Sequence, residues 1–203
     1  MSELRVPELA TLEVEGVTRS SFILRGALAT GALYGIGAVA PFVERAFGAA
    51  TQSDVAILSF ALALEQLESA FYSAALKGNG LPANAKKVVT EIAGHEAQHV
   101  QALTQTVQGL GGNPPPAAKP KVSGNVLKTA AALEELGVSA YNGAAVNIKS
   151  GDLLQVAGAI VQVEARHAAA VRQLSGQDPA PNAFDKALTQ AQATAAAKAF
   201  GGP

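Results

Sequence analysis

The strongest constraint on how this chain folds is a repeat that carries acidic side chains into apolar stripes. "LEQLESAFYSAA" (64–75) aligns with "LEELGVSAYNGA" (133–144), placing Glu65 on Glu134 and Tyr72 on Tyr141. "HEAQHVQAL" (95–103) aligns with "VEARHAAAV" (163–171), placing Glu96 on Glu164 and His99 on His167. The offsets are 69 and 68 residues, so the chain reads as two copies of one helical hairpin. Apolar residues at the 3.6-residue period predict four helices, over about 54–77, 83–109, 125–149 and 152–175. Their inward stripes read Leu58, Ala61, Glu65, Glu68, Tyr72; Val89, Ile92, Glu96, His99, Leu103; Leu127, Ala130, Glu134, Tyr141, Ile148; and Leu153, Ala157, Ile160, Glu164, His167, Val171.

Carboxylates on such stripes need a counter-charge, because burying an unpaired ionised group costs several kcal/mol. No arginine or lysine lies on those stripes. Two divalent cations held by Glu65, Glu96, Glu134 and Glu164, with neutral imidazoles from His99 and His167, balance the charge. One Glu from each of two helices plus a Glu-x-x-His from each of the other two is the di-iron or di-manganese pattern of ferritin-like four-helix bundles. Glu68 falls one turn after Glu65 and reads equally as an extra ligand, a neighbour of the ligands or a surface residue, since its repeat counterpart is Gly137. Tyr72 and Tyr141 read either as hydrogen-bond donors to ligand carboxylates or as plain core tyrosines. His95, Glu91 and Glu135 sit off the inward frame and read as a solvated face, with a place beside the ligands the lesser reading for His95.

Composition supports an all-α class. Hydrophobic residues make up 49% of the 203, aromatics only 5%, and alanine dominates. A net charge of −1 without runs of like charge gives no footprint for nucleic acid. The absence of cysteine excludes disulfides and thiolate metal sites. Between the second and third helices, "GLGGNPPPAAKPKVSG" (109–124) can extend some 40 Å at about 3 Å per residue, the length of a helix of about 25 residues. It therefore serves as the one long crossover of a ferritin-like bundle. The organisation expected is a disordered leader over 1–20, an apolar N-terminal helix over 21–50, the four-helix bundle over 51–177, and a linker with a short C-terminal helix, about 182–199, within 178–203.

Residues 26–43 carry no charge, and "TRSSFILR" before them resembles a twin-arginine export signal with serine in place of the second arginine. A cleaved signal, an uncleaved membrane anchor and a helix packed on the domain or a neighbouring chain are all open. An exported or envelope-anchored location is expected, with the cytoplasm as the alternative. Residues 21–43 are the expected contact with a membrane or a neighbouring chain, and homo-oligomerisation is open.

Carried by "ALEQLESAFYSAAL", "GHEAQHVQAL", "LEELGVSAYNGAA" and "VEARHAAAV", residues 54–175 resemble the ferritin-like superfamily, and within it the bacterial ferritin-like domain proteins related to plant desiccation-related proteins. The resemblance implies a four-helix bundle, iron–oxygen chemistry, often an exported location, and two metal ions at Glu65, Glu96, His99, Glu134, Glu164 and His167. The expected activity is oxidation of Fe(II) by O₂ or H₂O₂, as a ferroxidase or peroxide scavenger, with Glu96 and Glu164 bridging and Glu65 and Glu134 terminal. A dimanganese form would instead dismutate peroxide. The rival expectation is a structural, stress-protective envelope protein in which metal only stabilises the bundle or is lost.

Overall fold

The computed structural model describes residues 50–122 and 124–203, so the expected leader and, apart from Ala50, the apolar N-terminal helix lie outside the described residues. Helices α1 (Gln52–Lys77), α2 (Lys86–Gly109), α3 (Val126–Ala145), α4 (Gly151–Leu174) and α5 (Gln190–Ala197) follow in order, and no strand occurs among the described residues. Helices α1 and α2 form one hairpin and α3 and α4 the other, while α1 also packs on α3 and α2 on α4. This is the expected all-α four-helix bundle.

Capping chemistry sets the boundaries. At α1, Thr51 and Asp54 form a reciprocal capping box, and buried Asp54 also accepts a 2.7 Å hydrogen bond from the Lys149 backbone N–H. The start of the first hairpin is thus tied to the turn of the second. Asn125 caps α3 through Lys128 N–H and Ser150 caps α4 through Leu153 N–H. Ser150 being a cap explains why α3 stops at Ala145 rather than running to 149: the chain needs residues 146–150 to turn. Ile148, expected on the α3 stripe, lies in that turn and is only half-buried. Residues 83–85 form a 3₁₀ turn instead of the first turn of α2.

The C-terminal helix is shorter than expected, because residues 182–189 are a strap rather than helix. Leu188 N–H donates to Ser139 O at 2.8 Å, and Thr189 then opens α5 with its own capping box to Gln192. Ala193 and Ala197 are fully buried against the bundle. The 3₁₀ turn Lys198–Phe200 holds the crossover in place through Lys121 N–H to Phe200 O at 2.7 Å. The alanine-rich tail is therefore a structural clasp between α3 and the crossover.

Along each bundle helix the buried residues sort into three bands. In α1, for example, Leu58 and Leu62 precede Glu65 and Glu68, and Phe71 and Ala75 follow; in α4, Leu153, Ala157 and Ile160 precede Glu164 and His167, and Val171 follows. The polar band lies mid-helix, with an apolar cluster around Leu58, Leu103, Val107 and Leu153 and another around Phe71, Val89, Leu127 and Val171. By length and apolarity α1 alone among the described residues could cross a bilayer. Its leucines are instead spent in the core, and Glu65 and Glu68 sit at its middle.

The strap crosses α3 at Gly143, where a Cβ would stand 1.7 Å from Leu188 O. Gly143→Ala should therefore cost about 1–3 kcal/mol through a forced backbone shift. Gly158→Ala, at an α4 position with open space, should gain up to about 1 kcal/mol from helix propensity. Denaturant unfolding of both variants checks the pair.

Candidate metal centre

Each of the four bundle helices delivers acid to one buried point. Glu65 from α1, Glu96 from α2, Glu134 from α3 and Glu164 from α4 are all at 0% exposure, with His99 at 8% and His167 at 4%. The ring Nδ1 of His99 lies 3.1 Å from Glu65 Oε2, 3.0 Å from Glu164 Oε1 and 3.7 Å from Glu96 Oε2. The Nδ1 of His167 lies 2.9 Å from Glu96 Oε1, 3.5 Å from Glu134 Oε2 and 3.9 Å from Glu164 Oε1. Donor atoms thereby gather into two groups, Glu65/Glu96/His99/Glu164 and Glu96/Glu134/Glu164/His167, each within 4.8 Å and suited to hold a metal ion. Glu96 and Glu164 belong to both.

The tyrosines resolve as hydrogen-bond donors, and they cross between the repeats. Tyr72 of α1 donates to Glu134 Oε1 of α3 at 2.5 Å, and Tyr141 of α3 donates to Glu65 Oε1 of α1 at 2.5 Å. Each leaves the other oxygen of its carboxylate facing the centre. Helical spacing arranges this: a tyrosine seven residues after a Glu returns to the same face two turns on.

Few of the remaining polar atoms are satisfied within the protein. Both oxygens of Glu68, Glu96 and Glu164, together with Glu134 Oε2 and His167 Nδ1, are buried without a hydrogen-bond partner. The 2.9 Å approach of His167 Nδ1 to Glu96 Oε1 is close, but it lacks the alignment of a hydrogen bond. Native proteins carry a few such atoms per hundred residues, scattered. Here they converge on one place.

Crowding of charge makes the metal-free centre hold protons. Burial, then the charges of Glu164 and Glu65, push the Glu96 carboxyl up to about 7. Burial, then Glu65 and Glu134, push Glu164 to about 8. Burial alone would discharge His167, but its contacts with Glu134 and Glu96 raise it to about 10. For Glu65, burial is outweighed by the charge and hydrogen bond of His99 and by Tyr141, and its carboxyl stays below the usual range.

Two residues stand where the sequence left the choice open or misled. Glu68 is 1% exposed, which removes its surface reading, and it stands outside both four-residue groups. Burial and the four neighbouring carboxylates hold it far above its usual pKa, as a neutral acid. Its room comes from Gly137, where a Cβ would meet Glu68 Oε1 at 2.8 Å and Glu164 Oε2 at 3.3 Å. The repeat thus replaces Glu68 by the glycine that accommodates it, and a glycine in mid-helix with no turn to explain it was the signal. His95 corrects the solvated-face reading: it is half-buried, with Nδ1 3.0 Å from His167 Nε2. Its spacing of one residue before Glu96 and four before His99 was the available clue. Glu91 is exposed as expected, and Glu135 pairs at the surface with Arg172 at 2.6 Å.

The comparisons with known proteins agree with this architecture. The sequence model of one family, described as the ferritin-like domain, matches residues 53–177, a span that contains all four bundle helices apart from the first residue of α1 and every residue of the centre. No curated protein matches the chain. With well over half its length matched and a buried Glu/His cluster shared among four helices, the chain belongs to the ferritin-like domain family.

Proposed function

We propose that this protein is a di-metal carboxylate protein that binds two iron ions in the bundle and oxidises Fe(II) with O₂ or H₂O₂. The observation that carries the reading is the convergence of partnerless buried oxygens and His167 Nδ1 into two donor groups that share Glu96 and Glu164. The donor set fits the ions. Oxygen and imidazole donors suit iron and also manganese, and two divalent ions match the charge of four carboxylates. Glu65, His99, Glu134 and His167 would each serve one ion, and Glu96 and Glu164 both. When bound, iron supplies the electrons that reduce the oxidant.

The protein's own residues perform the positioning. Tyr141 and Tyr72 fix the orientation of Glu65 and Glu134 by holding one oxygen of each. Apolar clusters on both sides keep bulk water from the carboxylates, which strengthens their hold on cations. Glu68, whose carboxyl is held well above the usual range by burial and its acidic neighbours, stands with Glu164 around Gly137 and favours the form that adds no negative charge.

Oxidant uptake tests the reading. With Fe(II) supplied anaerobically and O₂ or H₂O₂ then added, the protein should oxidise iron faster than buffer does, and the Glu96→Ala/Glu164→Ala variant should lose that advantage. A wild-type rate no greater than the variant's would sink the proposal.

The proton content of the centre sets a pH dependence. Glu96 and Glu164 rise from 4.5 and His167 from 6.5, so the folded metal-free protein binds more protons than the unfolded chain. That stabilisation is complete below about pH 4.5 for the two acids and is lost as pH climbs through about 7, 8 and then 10. Glu65 acts oppositely, but only in acid below its ordinary value of 4.5. Chelator-treated protein should therefore melt at a lower temperature at pH 9 than at pH 6. Divalent metal, which replaces those protons, should raise the melting point more at pH 9 than at pH 6.

Gly137→Ala separates fold from function. The atoms it crowds are the far ends of two flexible side chains, Glu68 and Glu164, rather than backbone, so they shift while the helix stays in place, and alanine should return up to about 1 kcal/mol of helix propensity. Unfolding stability should hold or rise while the Fe(II) oxidation rate changes, which stopped-flow absorbance on the same preparation would show.

A further inference from the structure

The two halves of the centre are related by the repeat, yet among the described residues only one has a partner behind its histidine. His167 Nε2 lies 3.0 Å from His95 Nδ1. The two rings are nearly coplanar, 10° apart, with centroids separated by 5.2 Å, the relation of rings joined edge to edge through one hydrogen bond rather than stacked face to face. In α4 the position equivalent to His95, 68 residues on, is Val163, a side chain with no donor or acceptor. His99 therefore has no repeat-related counterpart of this bond.

A neutral imidazole carries one N–H and one bare nitrogen, and it ligates a cation only through the bare one. His167 points Nδ1 at the carboxylates and Nε2 at His95. With His95 Nδ1 accepting, His167 keeps its proton on Nε2, so the proton that an arriving ion displaces is the one on Nδ1 and the lone pair freed there faces the centre. The ring is also fixed in rotation, so less freedom is lost when an ion arrives. We propose that His95 is a positioning residue that selects this tautomer of His167 and makes the Glu96/Glu134/Glu164/His167 group the tighter of the two cation sites, so that the centre fills in order. This rests on the two-ion reading above, and it adds an asymmetry which that reading does not require.

Cobalt(II) titration of the chelator-treated full-length protein, followed by visible absorption, tests it without reference to turnover. Wild-type protein should take up two ions in resolved steps. His95→Val, which installs the residue found in the other repeat, should weaken the first step by about 10–100-fold and merge the two, the usual loss when the group behind a ligating histidine is removed. His95→Asn, whose amide oxygen can accept the same N–H, should keep the steps apart, a rescue that a merely space-filling role would not give. The inference is overturned if wild-type protein binds two ions in equal steps, if His95→Val leaves both constants unchanged, or if Asn and Val weaken binding alike. Uptake of fewer than two ions by wild-type protein overturns the two-ion reading itself, and the inference with it.

Discussion

Five carboxyl groups and two imidazoles buried at the middle of one small bundle cannot be held there by protein contacts alone. Glu65, Glu68, Glu96, Glu134 and Glu164 are all essentially inaccessible, and no Lys or Arg reaches them in an ion pair among the described residues. Coulomb repulsion between carboxylates at these separations, in a medium far less polarisable than water, would exceed the stability of a typical domain. Protons or metal ions must supply the balance. The raised titration of Glu96, Glu164 and His167 is the metal-free answer, and the convergence of partnerless oxygens points to the other.

The rest of the architecture keeps that cluster in place. Helix lengths put the acids mid-span, so that apolar layers close over them from both ends. The crossed tyrosine bonds lock α1 to α3 at the level of the acids, and Asp54 ties the start of α1 to the turn before α4. The C-terminal clasp holds the crossover against the bundle. Against this two-fold plan the protein places two departures, Glu68 opposite Gly137 and His95 opposite Val163, both in the first hairpin.

Much of this was legible in sequence because helical periodicity and the repeat are strong and mutually consistent. The six Glu and His residues could be placed on apolar stripes from spacing alone, and each is buried. What escaped had a physical reason. Ile148 and the end of α3 depended on which of two overlapping signals won, continued apolar period or the cap at Ser150. The strap over 182–189 arises from a contact with Ser139 distant in sequence, which no local pattern encodes. His95 lies off the inward stripe because it reaches sideways from α2 to His167 on α4, and sideways contacts follow from how helices pack rather than from their period. Glu68 could be interpreted only once Gly137 was seen to make room for it.

Occupancy of the buried cluster by two ions is open to direct observation. Anomalous X-ray scattering from a crystal of iron-soaked protein, collected at the iron absorption edge, addresses it directly. A two-ion centre should give two peaks about 3.5–4 Å apart, the spacing usual for paired ions, with Glu96 and Glu164 between them, His99 beside one and His167 beside the other. A single peak, a peak at surface acids only, or none at all would contradict it.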